Sequence, residues 1–299
     1  MKNTSNIRLV KLLVVIFTLL TAQHATAENW QPESFRVEVS GSGEDIILIP
    51  GLMSDASVWS SLSDVLIKDH RLHIISIAGF ASMPKIENQS LSRVKQELFE
   101  YIERHQLHKP TIIGHSLGGF MAFWMASSAP DKLGKIISVD GLPFIGPVFT
   151  GSNNTTAESL SQQAAQMKAY YAAMSTAQLA SQNRFGINRQ ATSKSSKQRV
   201  LVMADASDPT FVGEAVFTLM TTDLRKAISK INIPSMLLGA SGGFNINKEK
   251  DYYATIYRQQ LSALKGAKLL INRDSRHFIM FDKPAWLADQ IKSFLSQNK

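Results

Sequence analysis

"TIIGHSLGGF", residues 111–120, decides how the rest of the chain is read. An apolar run gives way at Gly114-His115-Ser116-Leu117-Gly118 to "LGGFMAFWMASSA", a stretch with the composition of a buried helix. A strand that turns sharply into a helix needs small residues on either side of the bend, and it lifts the serine hydroxyl to the apex. The helix starting at Leu117 aims its free N–H groups at that hydroxyl. An inert serine in a glycine-rich turn has the same pattern, but the strand before it and the helix after it make Ser116 a candidate nucleophile.

Around this turn short apolar runs alternate with helical patterns, which predicts an α/β chain with a mostly parallel sheet flanked by helices. Strands are expected at about residues 35–39, 45–49, 73–77, 110–113, 135–139, 233–238 and 267–271. Helices are expected over 57–68, where Val58, Leu62, Val65 and Leu66 share a face, and over 90–104, where Leu91, Val94, Leu98 and Ile102 do. The alternation fails between about 141 and 229. Two amphipathic stripes survive there, Leu160, Ala164, Met167, Tyr171, Met174 and Phe211, Ala215, Val216, Leu219, Met220. The expected organisation is a core over 28–141 and 230–299 interrupted by a helical cap over 142–229, with 151–156 and 181–198 as flexible loop.

At the amino end, Lys2, Arg8 and Lys11 precede or open the run "LLVVIFTLL", followed by Ala25-Thr26-Ala27. That order predicts a secretory signal peptide over 1–27, a run too short for a comfortable membrane span, and an exported periplasmic or secreted protein with no stable membrane insertion after cleavage. The chain has no Cys, which excludes thiol and Fe–S chemistry and leaves stability to packing. Net charge is +8; the three basic residues of 1–27 leave 29 Lys and Arg against 24 Asp and Glu, or +5, downstream. Much of that excess lies in "NRFGINRQATSKSSKQR", residues 183–199, which has little aromatic interleaving and reads as a solvated face rather than a nucleic-acid site. Oligomeric state is not legible.

A hydroxyl needs a base to remove its proton, and imidazole has the fitting pKa. Of seven His, His24 belongs to the signal segment, His70, His73, His105 and His108 fall near helix ends or connections, and His115 adjoins Ser116 in the chain and points elsewhere. His277 remains, in the loop "NRDSRHFIMFDKP" after a strand, where open α/β sheets build their sites. Leu117 N–H is one donor for the oxyanion, and the turn Gly51-Leu52-Met53 after a buried strand offers Leu52 N–H, with Met53 close behind. The pairs His70/His73 and His105/His108 lack a third metal ligand, and no nucleotide or zinc-protease motif occurs, so neither metal nor cofactor is expected.

These residues resemble the α/β-hydrolase family: "PGLMSDASVW" is similar to its oxyanion loop, "GHSLGG" to its nucleophile elbow, and "SRHFIMFDKPAWLADQIKSFL" to its terminal histidine loop and helix. The resemblance runs from about 35 to 297 and implies a sheet of about eight strands with a helical cap over the site. Departures are present. Pro50 stands where members commonly have His, "SIAGFASMP" lacks a frequent acidic loop, and "ASGGFNIN", residues 240–247, has no acid where the family often places one. Some members carry that acid one strand beyond the nucleophile, which points to Asp140, with Asp208 and Asp251 as alternatives.

The expected activity is hydrolysis of a carboxylic ester or lactone of a small to medium apolar molecule by Ser116, His277 and Asp140, with Met53, Phe144, Phe149 and Phe278 as pocket walls. Cofactor-free peroxidase, carbon–carbon hydrolase and amidase chemistry, or ligand binding without catalysis, use the same fold and stay open.

Overall fold

The computed structural model describes residues 30–243 and 247–297. The expected signal segment, 1–27, lies outside them. Among the described residues seven strands form one sheet in the order β1-β3-β2-β4-β5-β6-β7: β1 Phe35–Gly41, β2 Glu44–Ile49, β3 His70–Ile77, β4 Thr111–His115, β5 Ile136–Val139, β6 Ser235–Ala240 and β7 Lys268–Asn272. Only β1 runs antiparallel, against β3. The inner strands β4, β5 and β6 are buried at every position, which is why they read as unbroken apolar runs. Edge strand β1 buries only Phe35. The chain order reverses between β2 and β4, and in open α/β sheets the crevice beyond the carboxyl ends at such a point takes the ligand.

Helices α1 (Ser60–Leu66), α2 (Leu91–Arg104) and α3 (Leu117–Ser128) connect the first strands. Ser90 caps α2 by accepting from Arg93 N, and Leu91, Val94, Leu98 and Ile102 turn inward at helical spacing. Helix α3 is apolar all round and buried on nearly every side, as expected of a helix packed directly behind the central strand.

Between β5 and β6 lie α4 (Gly146–Thr150), α5 (Ala157–Ala172), α6 (Thr176–Gln190), α7 (Lys194–Asp205) and α8 (Pro209–Thr221). Helix α5 packs along α8, and α6 along α7. The last two replace the flexible loop expected over 181–198. Helix α6 buries only Leu179, so hydrophobic periodicity gives little sign of it. Its start is set by a capping box between Ser175 and Gln178, and that of α7 by Ser193 accepting from Ser196 N at 3.0 Å. After β6 come α9 (Asn247–Gln260), α10 (Ile279–Asp282) and α11 (Pro284–Leu295).

At the end of the sheet remote from the β4–α3 turn, His73 is buried rather than solvated. Its Nε2 donates to Asp45 Oδ1 at 2.9 Å and its Nδ1 accepts from the Tyr101 hydroxyl at 2.7 Å. Arg71 forks onto the same carboxylate. Burial lowers the pKa of His73 from 6.5, and burial also lowers those of His105 and His115. Each is favoured neutral in the fold, so its contribution is complete above the unfolded value and is lost as pH falls through the lowered folded value. The thermal midpoint is therefore expected to drop as pH falls below about 6.5. A His73→Asn variant, melted by circular dichroism at pH 7.5 and pH 5, should show a shallower drop.

Candidate active site

Backbone packing makes the turn after β4. Ile49 of β2 pairs with Gly114, and Val139 of β5 pairs with His115, so both neighbours' loops emerge beside Ser116. A Cβ on Gly114 would lie 2.0 Å from Gly118 O, and one on Gly118 would lie 2.2 Å from Ile49 O. No side chain fits at either position. Ser116 takes φ 53° and ψ −113°, a conformation that costs an L-residue roughly 1–3 kcal/mol. Bonds from Ser116 N to Val139 O at 2.9 Å and from Phe120 N to Ser116 O at 3.0 Å hold it there.

Asp140, the residue after β5, also has positive φ, 53°. Its N–H donates to Leu238 O at 2.7 Å, which turns its carboxylate across the end of β6. Oδ1 accepts from Ala240 N at 2.8 Å and from the Tyr257 hydroxyl; Oδ2 lies 2.6 Å from His277 Nδ1. The carboxylate can only accept, so the proton of the imidazole sits on Nδ1 and Nε2 is left as the base. Burial, with Asp140 beside it, raises the Tyr257 pKa well above 10.0, so the phenol stays an O–H donor.

Ser116 and His277 together line two cavities. One, of about 250 Å³, is walled by Leu117, Ile145, Val148, Leu219 and Ile256. The other, of about 140 Å³, lies between the loop after β2 and helices α6 and α7, walled by Leu52, Met53, Ile187, Leu201 and Phe278. Among the described residues the Ser116 hydroxyl makes no hydrogen bond, and neither the Leu52 nor the Leu117 N–H has an acceptor. Nucleophile-to-base contacts are often long in free enzymes and tighten when substrate binds.

The α/β hydrolase fold family matches residues 46–284, from β2 to the start of α11. This chain belongs to that family. Among curated relatives, pimeloyl-[acyl-carrier protein] methyl ester esterases of Vibrio cholerae and Aeromonas salmonicida are 29% and 32% identical over 106 and 139 residues, which are 36% and 43% of this chain. The matched stretches span 40% and 54% of those proteins' length. The enol-lactonase from Burkholderia xenovorans has the same fold, with a TM-score of 0.69 at 14% identity over 88% of this chain and 96% of that one.

Within this fold the alternative acids lie elsewhere. Asp208 caps α8, accepting from Phe211 N at 3.0 Å, and pairs with Lys85; Asp251 is exposed and pairs with Arg273. Of the expected walls, Met53 and Phe278 line the smaller cavity. Phe144 and Phe149 line neither cavity. Phe144 is fully buried in the core beneath the Arg225 guanidinium, and Phe149 is half-exposed on α4. Tyr257 has no sequence motif; its place on the inner face of α9 is its only signal. His115 is not turned away from the site but reaches the His277 backbone, its Nε2 lying 3.1 Å from His277 O.

Replacing Asp140 by Asn should lower kcat roughly 10⁴-fold with folding retained, because the amide cannot hold the required tautomer. Tyr257→Phe removes one donor to a charged acceptor and should lower kcat about tenfold at unchanged KM. Steady-state ester hydrolysis measures both.

Proposed function

We propose that this hydrolase is an exported serine esterase acting on a carboxylic ester or lactone of a small to medium apolar molecule. The observation that carries the reading is the hydrogen bond from His277 Nδ1 to Asp140, which leaves Nε2 basic beside cavities shared with a strained Ser116. His277 Nε2 takes the hydroxyl proton as Ser116 Oγ adds to the carbonyl carbon. The oxyanion is met by the N–H groups of Leu52 and Leu117, fixed dipoles that cost no reorganisation. The imidazolium, stabilised by Asp140, then protonates the departing alkoxide. Water, deprotonated by the same imidazole, adds to the acyl-enzyme; as the bond to Ser116 Oγ breaks, the imidazolium returns that proton to Oγ and the acid is released.

The esterase names of the curated relatives support ester chemistry, and the apolar walls of the larger cavity support an apolar substrate. Two chambers meeting at one hydroxyl suit a substrate with two arms. Export rests on the charged, apolar and small-residue order of residues 1–27. Among the described residues no helix is long and apolar enough to cross a membrane.

A fluorophosphonate probe should label the wild-type chain and fail to label Ser116→Ala; an unlabelled wild type would contradict the reading. Filling the larger cavity with Leu219→Trp should depress kcat/KM for p-nitrophenyl octanoate far more than for the acetate. Equal losses on both esters would remove that cavity as a substrate site.

A further inference from the structure

His115 is wholly buried at the last position of β4, between the turn after β2 and the loop that carries His277. On one side lies the turn after β2, so near that a Cβ on Gly51 would stand 2.8 Å from His115 Nδ1. On the other, the His277 and Phe278 rings lie 4.7 Å and 4.6 Å from it between centroids. Its Nε2 meets the His277 carbonyl at 3.1 Å. A carbonyl only accepts, so the single ring proton is on Nε2, and Nδ1 is left as a buried acceptor with no partner among the described residues.

An apolar ring would fill this space without that desolvation penalty, so packing alone does not account for a histidine. The N–H directed at His277 does. His277 is then tied at its carbonyl by His115 together with Ile279 N at 3.1 Å, at its N–H by Arg189 O at 3.3 Å, and at Nδ1 by Asp140. We infer that His115 is a positioning residue: its Nε2–H clamps the His277 backbone and so sets where the basic nitrogen of that imidazole stands relative to Ser116. The inference rests on the serine-esterase reading above. Burial, reinforced by the neighbouring His277, keeps the His115 ring neutral, so it holds this bond without adding a second positive charge beside the imidazolium.

The test compares His115→Phe, which keeps a ring and loses the donor, with His115→Gln, whose amide can restore a donor near the same place. In His115→Phe, kcat for p-nitrophenyl acetate should fall roughly a hundredfold, the scale of a 1 Å misplacement, with KM within about twofold. Fluorophosphonate labelling should slow in parallel. Loosening His277 from Asp140 weakens the support of the imidazolium, so the acid limb of the kcat/KM profile should move to lower pH. His115→Gln should regain at least about tenfold in kcat and return the limb toward its wild-type position. An unchanged kcat or limb in His115→Phe, a glutamine variant no better than phenylalanine, or loss of folded protein in both variants would overturn the inference while leaving the esterase reading standing. A wild-type chain that resists the probe and cleaves no ester would remove both.

Discussion

Three pieces of backbone, the end of β2, the end of β4 and the first turn of α3, approach one another more closely than any side chain would permit. Cβ atoms at Gly114 and Gly118 would stand 2.0 Å and 2.2 Å from carbonyl oxygens. That crowding forces the bend, the bend puts Ser116 into its strained backbone state, and the strain is sustained by hydrogen bonds on both sides of the residue. Because β2 and β5 flank β4 in register, the loop carrying Leu52 and the residue Asp140 arrive at the same place without further device.

The carboxylate shows how a fold tolerates a relocated group. Asp140 directly follows β5, yet its oxygens reach across the end of β6 to accept from Ala240 N and from Tyr257 on α9. A left-handed φ at Asp140, which aspartate accepts more readily than most residues, makes that reach possible. Residues 240–247, at the end of β6, carry no acid, and this geometry needs none there.

The elbow and the terminal histidine loop are legible in sequence because each is a local pattern: glycines around a serine at a strand-to-helix junction, and a histidine between a strand and an amphipathic helix. The inner strands are legible because burial on both faces makes them continuously apolar. The start of β3 at His70 is not, because His70 and Arg71 pair with β2 while presenting polar side chains. Helix α6 buries too few residues to leave a period, whereas α7 buries Val200, Met203 and Ala204 behind a polar first turn, and serine caps mark the start of both. Which aspartate meets His277 is a matter of inter-strand register, so the sequence points to Asp140 and leaves Asp208 and Asp251 as alternatives. The reach of His115 to the His277 carbonyl spans 162 positions along the chain, and no motif encodes it.

The carboxyl end of α6 is stitched to the histidine loop: His277 N and Phe278 N donate to Arg189 O and Gln190 O, Arg276 to Asn188 O and Ala191 O, and Thr192 to Asp282. Ile187 and Gln190 on that same helix face the smaller cavity. Wall and proposed base thus share one splice. Grafting a foreign helical segment here to alter selectivity would have to carry over the carbonyls at 188–191, or the exchange would retune proton transfer together with the shape of the chamber.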